Sequence, residues 1–295
     1  MKDYLIIYNP ISGRGVAKRN INKIKSMFYN KNIKCSIKES QYKGQITELC
    51  KNSENYCNII IVGGDGTFNE AINGLMQNKS INSISVGFIP GGTGNSLMHD
   101  LNATSYESAV NIILRGKTKK IDVLELDFFN KKEYSINIVG WGMVSDINVL
   151  AEKLRFIGSS RYTIASLYYI FKVHSRKAKI IIDDKEQISD FLFILNLNTI
   201  HTGKGMKAAP KALLDDGLID IIILKPSITK FALLKLLPQI YTGGHINSEH
   251  IEYITAKKIE IYPLYNETLN IDGEMKCKTP LSISILPKKI NIFSN

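Results

Sequence analysis

The sequence is poor in cysteine, in tryptophan and in acid. Four cysteines (Cys35, Cys50, Cys57, Cys277) form no CxxC pair and no regular framework. That argues against a disulfide scaffold or a thiolate metal site, and predicts reduced thiols in a cytoplasmic protein. The five histidines (His99, His174, His201, His245, His250) fall into no HExxH or other ligand spacing, so ordinary surface or core roles are expected of them. No GxxxxGK[ST] is present, which excludes a P-loop enzyme. No apolar stretch approaches the ~20 residues needed to span a bilayer, so membrane contact is expected to be peripheral. Met1-Lys2-Asp3-Tyr4-Leu5 runs directly into a strand-like segment, with no signal peptide expected. Acid is outnumbered, 27 against 38 basic residues, for a formal charge of +11. The excess favours a polyanionic partner: nucleic acid, nucleotide or an anionic membrane surface. A merely soluble basic protein is the alternative. Hydrophobic content of 44% and charged content of 22% are ordinary globular values, and 295 residues allow two domains.

What the chain does have is glycine in the right places. Ile59-Ile60-Ile61-Val62 reads as a fully buried strand, and Gly63-Gly64-Asp65-Gly66-Thr67 follows it as a turn that few side chains obstruct. Phe68, Ala71, Ile72, Leu75 and Met76 then share one face of a helix. A helix N-terminus behind bare glycines offers free N–H groups and a favourable dipole to phosphate. Asp65 would repel that phosphate unless a divalent cation lay between them, so the turn points to a metal–nucleotide complex.

Two more turns have the same character. Tyr4–Tyr8 is a first strand, followed by Asn9-Pro10-Ile11-Ser12-Gly13-Arg14-Gly15 and a helix marked by Ile21, Ile24, Met27 and Phe28. Taken alone, SGRG is equally a plain strand-to-helix turn. Strands are expected at Ile33–Ile37 and Val86–Ile89, the latter running into Pro90-Gly91-Gly92-Thr93-Gly94-Asn95-Ser96. Strands alternating with helices predict an open parallel α/β sheet over residues 1–120, with ligands bound beyond the carboxyl ends of its strands. From 121 to 286 strand-like runs crowd together: Ile121–Leu126, Tyr134–Val139, Lys179–Ile182, Phe191–Leu197, Leu218–Leu224, Lys258–Tyr262 and Leu281–Leu286. Helices are expected around Ser145–Leu154, Tyr162–Val173 and Thr229–Leu237. The second domain is therefore read as β-rich and β-sandwich-like, with the tail 287–295 returning to the first domain.

Taken together, Asn9-Pro10 with Ser12-Gly13, then GGDGT, then the Pro90–Asn95 turn resemble the diacylglycerol kinase/sphingosine kinase family. The match continues through Gly140-Trp141-Gly142-Met143, Ala209-Pro210, Asp215-Asp216-Gly217-Leu218-Ile219-Asp220 and Asp272-Gly273-Glu274. The fold it implies is an NAD kinase/diacylglycerol kinase-like α/β domain with a β-rich partner. It places Asn9, Pro10, Ser12, Gly13, Ser40, Gly63, Gly64, Asp65, Gly66, Thr67, Asn69, Gly92, Thr93 and Asn95 around ATP, with Asp65 helping to hold Mg2+. It makes Glu274 the general base for a lipid hydroxyl, with Asp65 as the rival. A hairpin turn is the structural reading of Asp272–Glu274. A second magnesium is implied at Asp216 with the carbonyls of Leu213 and Leu218, against a plain Asp-Gly turn. Asp122 is implied in the acidic network that reaches the metal.

Ser96 stands where bacterial diacylglycerol kinases usually carry aspartate, and sphingosine kinases also have a small residue there. Asp146 falls where sphingosine kinases hold the substrate's polar head, with an exposed helix residue as the alternative. Trp141 is expected to pack in the core rather than stack on a ligand, although its place in the family's motif puts it near the lipid cleft. The expectation is therefore an ATP- and magnesium-dependent lipid kinase at an anionic membrane surface, acting on diacylglycerol or, alternatively, a sphingoid base. Nucleic acid is not an expected partner, and a homodimer is left open. NAD kinase and a catalytically silent regulator are remoter readings. The basic segment Lys172–Lys177 is either a solvated face or a membrane contact, at ~1 kcal/mol per charge.

Overall fold

The computed structural model describes residues 4–295, apart from 93 and 204. Strand β1 (Tyr4–Tyr8) leads into helix α1 (Ser12–Tyr29), then β2 (Cys35–Glu39), α2 (Gln45–Lys51), β3 (Asn58–Gly63), α3 (Asp65–Leu75), β4 (Ser85–Pro90), α4 (Ser96–Asp100) and α5 (Tyr106–Arg115). The four strands pair in parallel in the order β2-β1-β3-β4. Every residue of β1 and β3 is buried, as their unbroken apolar runs require when helices cover both faces of a sheet. Because β3 lies between β1 and β4, the three glycine turns that follow these strands come out side by side. The α5 boundaries are written locally: Ser105 Oγ accepts the Ser108 N–H at 3.1 Å, and Gly116 closes the helix at positive φ.

The chain continues through β5 (Thr118–Asp127), β6 (Lys132–Ser135), β7 (Ile138–Gly142), α6 (Met143–Lys153), α7 (Arg161–Phe171), β8 (Arg176–Ile182), β9 (Lys185–Phe191) and β10 (Phe193–Leu197). Then come β11 (His201–Thr202), β12 (Met206–Lys207), β13 (Ile219–Leu224), α8 (Lys230–Gln239) and β14 (Ile251–Ala256). The last strands are β15 (Lys258–Pro263), β16 (Thr268–Ile271), β17 (Glu274–Lys278) and the long β18 (Leu281–Phe293). The sheet continues through β18, which is parallel to β4, and then antiparallel through β15, β8 and β9, with β5 paired to β18 and β6 to β5. Asn291 and Ile292 of β18 pair with Ser85 and Val86 of β4. A second sheet, β14-β13-β10-β7-β16-β17, packs across the first as a β-sandwich. Leu126, Ile180, Ile259 and Ile283 meet Trp141, Ile194, Ile221 and Leu269 in the core between them. The fold is an α/β domain with a mostly parallel sheet joined to a β-sandwich-like domain.

Two expected strands are each broken in two. Tyr134–Val139 parts at Ile136-Asn137, because the Asp272 carboxylate takes the N–H groups of Asn137 and Ile138 away from any ladder. Phe191–Leu197 parts at Leu192, whose N–H goes to Leu224 and whose carbonyl accepts the Met143 N–H. Strands β9, β11, β12, β14, β16 and β17 add to the expected set. No described helix is long and apolar enough to cross a membrane.

Candidate active site

The first turn folds on itself through Asn9. Its Oδ1 accepts the Ile11 N–H at 3.2 Å, and its carbonyl accepts the Ser12 N–H at 3.2 Å. Residues 13–15 then take positive φ before α1 becomes regular. Gly13 has a second reason to be glycine, since a side chain there would overlap the Gly91 carbonyl. In the third turn, a Cβ on Gly92 would come within 2.5 Å of the Gly64 Cα. The three turns are therefore packed backbone against backbone. Asn9 Nδ2 and Ser12 Oγ approach Thr67 Oγ1 at 3.4 and 3.2 Å, tying the first turn to the second. Asn95 closes the third turn, donating to the Gly92 carbonyl at 2.9 Å and accepting its N–H at 3.2 Å. Pro10 is half-buried in the first turn, and buried Ser40 continues β2 beside β1 by donating its N–H to the Tyr8 carbonyl. Thr93 lies outside the described residues.

At the mouth of these turns α3 begins at Asp65 behind Gly64, with no side-chain cap. Its first turn leaves backbone N–H groups without intrahelical partners. Asp65 Oδ1 accepts the Ser96 N–H at 2.8 Å. Burial raises its pKa to about 6, repulsion from Asp272 adds to this, and the Ser96 and Asn95 donors oppose it. No cation pairs with Asp65 among the described residues. Glu274 arrives from the sandwich domain at the start of β17, and a Cβ on Gly66 would come within 2.7 Å of its Oε1. Glycine at 66 is thus what allows a carboxylate from the far end of the chain to reach the helix N-terminus. Lys43 stands 3.5 Å from Glu274 Oε2.

The two halves are clasped directly behind this point. Asp272 is buried and accepts from Ser135 Oγ at 2.7 Å, from the Ile138 N–H at 3.0 Å and from Asn69 Nδ2 at 2.7 Å. Asn69 also donates to the Tyr134 carbonyl at 3.0 Å, while its Oδ1 accepts from Lys276 Nζ at 2.7 Å. Lys276 in turn pairs with Glu133 at 2.8 Å. Both donors of the Asn69 amide are thereby used within the protein. The Asn69 side chain thus joins the domains and has little left to offer ATP. Lys276 and the Asp272 network escaped sequence reasoning. The available signal was the period of two that puts Glu274 and Lys276 on one face of a strand.

The remaining candidates lie elsewhere. Asp122 is fully buried and does not join Asp65; its oxygens accept the N–H groups of Lys288 at 2.6 Å and Gly217 at 2.7 Å. It belongs with the loop carrying Leu213, Asp216 and Leu218, where Asp216 Oδ1 accepts the Leu218 N–H at 3.0 Å. That loop is closed as an Asp turn by its own backbone. Among the described residues, no three His, Cys, Asp or Glu side chains gather as a metal site. Asp146 is bound to Arg176, which also holds Glu267 at 2.9 Å. Trp141 is fully buried and packs on Phe191 at a centroid distance of 6.4 Å. It is a core residue, in keeping with the packing reading and not with the cleft position that the resemblance implied.

The sequence matches the diacylglycerol kinase catalytic domain family over residues 3–126. It matches the YegS C-terminal NAD kinase beta sandwich-like domain over residues 137–294. A diacylglycerol kinase of Staphylococcus epidermidis is 30% identical over 98% of this chain and 91% of its own length. Sphingosine kinase 1 of Arabidopsis thaliana is 27% identical over 89% of this chain, which spans 64% of that protein. The fold is shared with the crystal structure of a diacylglycerol kinase from Bacillus anthracis, at a TM-score of 0.76 and 21% identity, covering 100% of this chain and 97% of the other.

Proposed function

The chain belongs to the lipid kinase family in which a diacylglycerol kinase catalytic domain is joined to a YegS C-terminal β-sandwich-like domain, and from that premise we propose that it transfers the γ-phosphate of ATP to the hydroxyl of a membrane lipid, diacylglycerol giving phosphatidic acid. The observation that carries this reading is the meeting of Glu274 with the uncapped first turn of α3. Phosphoryl transfer needs chiefly positioning and charge neutralisation, with one group to take the acceptor's proton. The glycine turns and the α3 N–H groups would cradle the phosphates. Glu274, held at the start of β17 by the Asp272 clasp, is the carboxylate placed to take the lipid hydroxyl's proton on Oε1.

Asp65 fits a bound divalent cation: it is an acid without a cationic partner among the described residues, and it resists ionisation as it stands. Asp65 would hold magnesium, and magnesium ATP supplies the phosphoryl group and neutralises its charge. With only one or two protein ligands, most of the coordination would come from phosphate and water, as suits magnesium.

A bilayer-facing surface supports a lipid acceptor. Ile164, Leu167, Tyr168 and Phe171 are exposed along one face of α7, and Phe231 is exposed on α8. Lys172 lies over the Tyr168 ring at 5.1 Å and Lys235 over Phe231 at 4.6 Å. Apolar and aromatic groups ringed by lysine suit the interface of an anionic membrane. A sphingoid base is the second reading, favoured by Ser96 and by the sphingosine kinase similarity. Asp146 speaks less for it, being occupied by Arg176.

Glu274→Gln tests the proposal with labelled ATP and a panel of diacylglycerol, sphingosine and monoacylglycerol in mixed micelles. Lipid phosphorylation should fall ~10²–10⁴-fold while nucleotide affinity holds. Full activity of the variant sinks the mechanism, and turnover on sphingosine alone replaces the acceptor.

A further inference from the structure

A cavity of about 550 Å³ opens at the C-terminal end of α4. One wall carries His99, Asn102 and Thr104, and the other carries His201, Lys207 and Thr242. Side chains from before β5 and from after β10 therefore converge on one space. The nearest acid is not part of its lining. Asp100 is almost fully buried, with Oδ1 accepting the Ile200 N–H at 2.8 Å and Oδ2 accepting the His201 N–H at 3.2 Å. The same Oδ2 lies 3.1 Å from His201 Nδ1. That contact assigns the Nδ1 proton of His201 to Asp100 and leaves Nε2 as the ring's uncommitted atom.

The His99 ring lies 5.5 Å from that of His201. Burial, and then the neighbouring His201, lower the His99 pKa. Lys207 pairs with no acid among the described residues. Among the described residues, the charged groups facing the two imidazoles are thus Asp100 on α4, which is spent on the backbone of Ile200 and His201, and Lys207 on β12. Two titratable rings, one ammonium, an amide and two hydroxyls among the described residues surround the space, and none of its lining residues is a carboxylate. Donors from several directions, one of them an ammonium, match a tetrahedral dianion rather than a planar carboxylate. The volume leaves room for a few carbons beyond it.

We propose that this cavity binds a phosphate monoester, between His99, His201 and Lys207. The source is either a soluble ester or the headgroup of a phosphorylated lipid. The site is separate from the glycine turns and does not depend on the kinase reading.

Five histidines in the chain make imidazole NMR a selective readout. Glycerol 3-phosphate added to the full chain should shift the His99 and His201 resonances and raise their titration midpoints, since a bound dianion favours imidazolium. His174, His245 and His250 should stay put. Lys207→Met should weaken binding ~10-fold or more, whereas Asp65→Asn should leave it intact. If only vesicles containing phosphatidic acid produce the shifts, and phosphatidylcholine vesicles do not, the ligand is a lipid headgroup. Unmoved His99 and His201 signals in both arms, shifts with phosphatidylcholine alone, or unchanged affinity in Lys207→Met overturns the proposal.

Discussion

Asp65 and Asp122 are both carboxylates drawn out of bulk water and met by backbone N–H groups, yet the fold uses them in opposite ways. Asp122 has no exposed surface, and each oxygen is bonded to an amide, Lys288 on one side and Gly217 on the other. It pins the bulge of β18 to the 213–218 loop and has little left to offer a ligand. Asp65 keeps part of its surface open, is met by donors of Ser96 and Asn95 and stands at the uncapped N-terminus of α3. An acid sealed in by the backbone it bonds is a structural part, whereas a partly open one beside a phosphate cradle is available for chemistry. Both are met by donors; exposure and surroundings separate them.

The sharpest way to break this contrast is to remove each acid in turn. Asp65→Asn should cut lipid phosphorylation roughly 10²–10⁴-fold while leaving the folded state as stable as before or more so. Asp122→Ala should do the reverse. It removes a buried carboxylate that ties together the half-buried N–H groups of Lys288 and Gly217, at ~1–3 kcal/mol in all, so the denaturant midpoint should drop while activity per folded molecule changes little. Thermal or urea melts beside labelled-ATP transfer measure both. An Asp122 variant that melts normally but is inactive would reverse the assignment.

A smaller effect probes the clasp behind Asp65. Asn69→Ala strands one Asp272 oxygen and frees Lys276, at a cost of about 1–3 kcal/mol. Because the Asn69 amide is spent on Tyr134, Asp272 and Lys276, kcat should fall through misplacement of Glu274 while KM for ATP holds. A rise in KM for ATP with kcat intact would restore Asn69 to the nucleotide site.

These residues also mark where sequence stops being informative. The three glycine turns were legible because each is local: an apolar strand, a breaker-rich turn, then helical periodicity. The sandwich was legible as a crowd of strand-like runs. What the pattern could not carry was pairing at long range. Nothing near Asn69 announces that it will meet Asp272, and nothing near Asn137 announces that the same acid will break the strand there. Trp141 was legible as a packing residue, although its motif position pointed to a cleft, and it sits where two sheets close on each other. Asp122 was grouped with Asp65 as an acid near a metal, although its partners are amides from 217 and 288. Motif spacing identified the parts; burial and bonding partners assigned them.

The smallest expected effect lies in the pH dependence of stability. The folded pKa of Asp65 is raised to about 6 from an ordinary value of 3.8, burial being the largest cause. The folded state therefore holds this proton more tightly than the unfolded chain does. Its contribution to stability is fully present below pH ~4 and is lost as pH rises through about 6. Asp220 is raised to about 6 as well, and Glu133 is lowered to about 2 with its opposite slope at lower pH. The informative quantity is thus the difference between wild type and Asp65→Asn. Wild type should lose on the order of 2 kcal/mol relative to the variant between pH 4 and pH 6.5 without nucleotide. Magnesium ATP should flatten that difference, because a cation at Asp65 makes its ionised form the favoured one. Urea denaturation at several pH values measures it. Equal slopes for the two proteins would mean that Asp65 is already compensated, and its contrast with Asp122 would then rest on geometry alone.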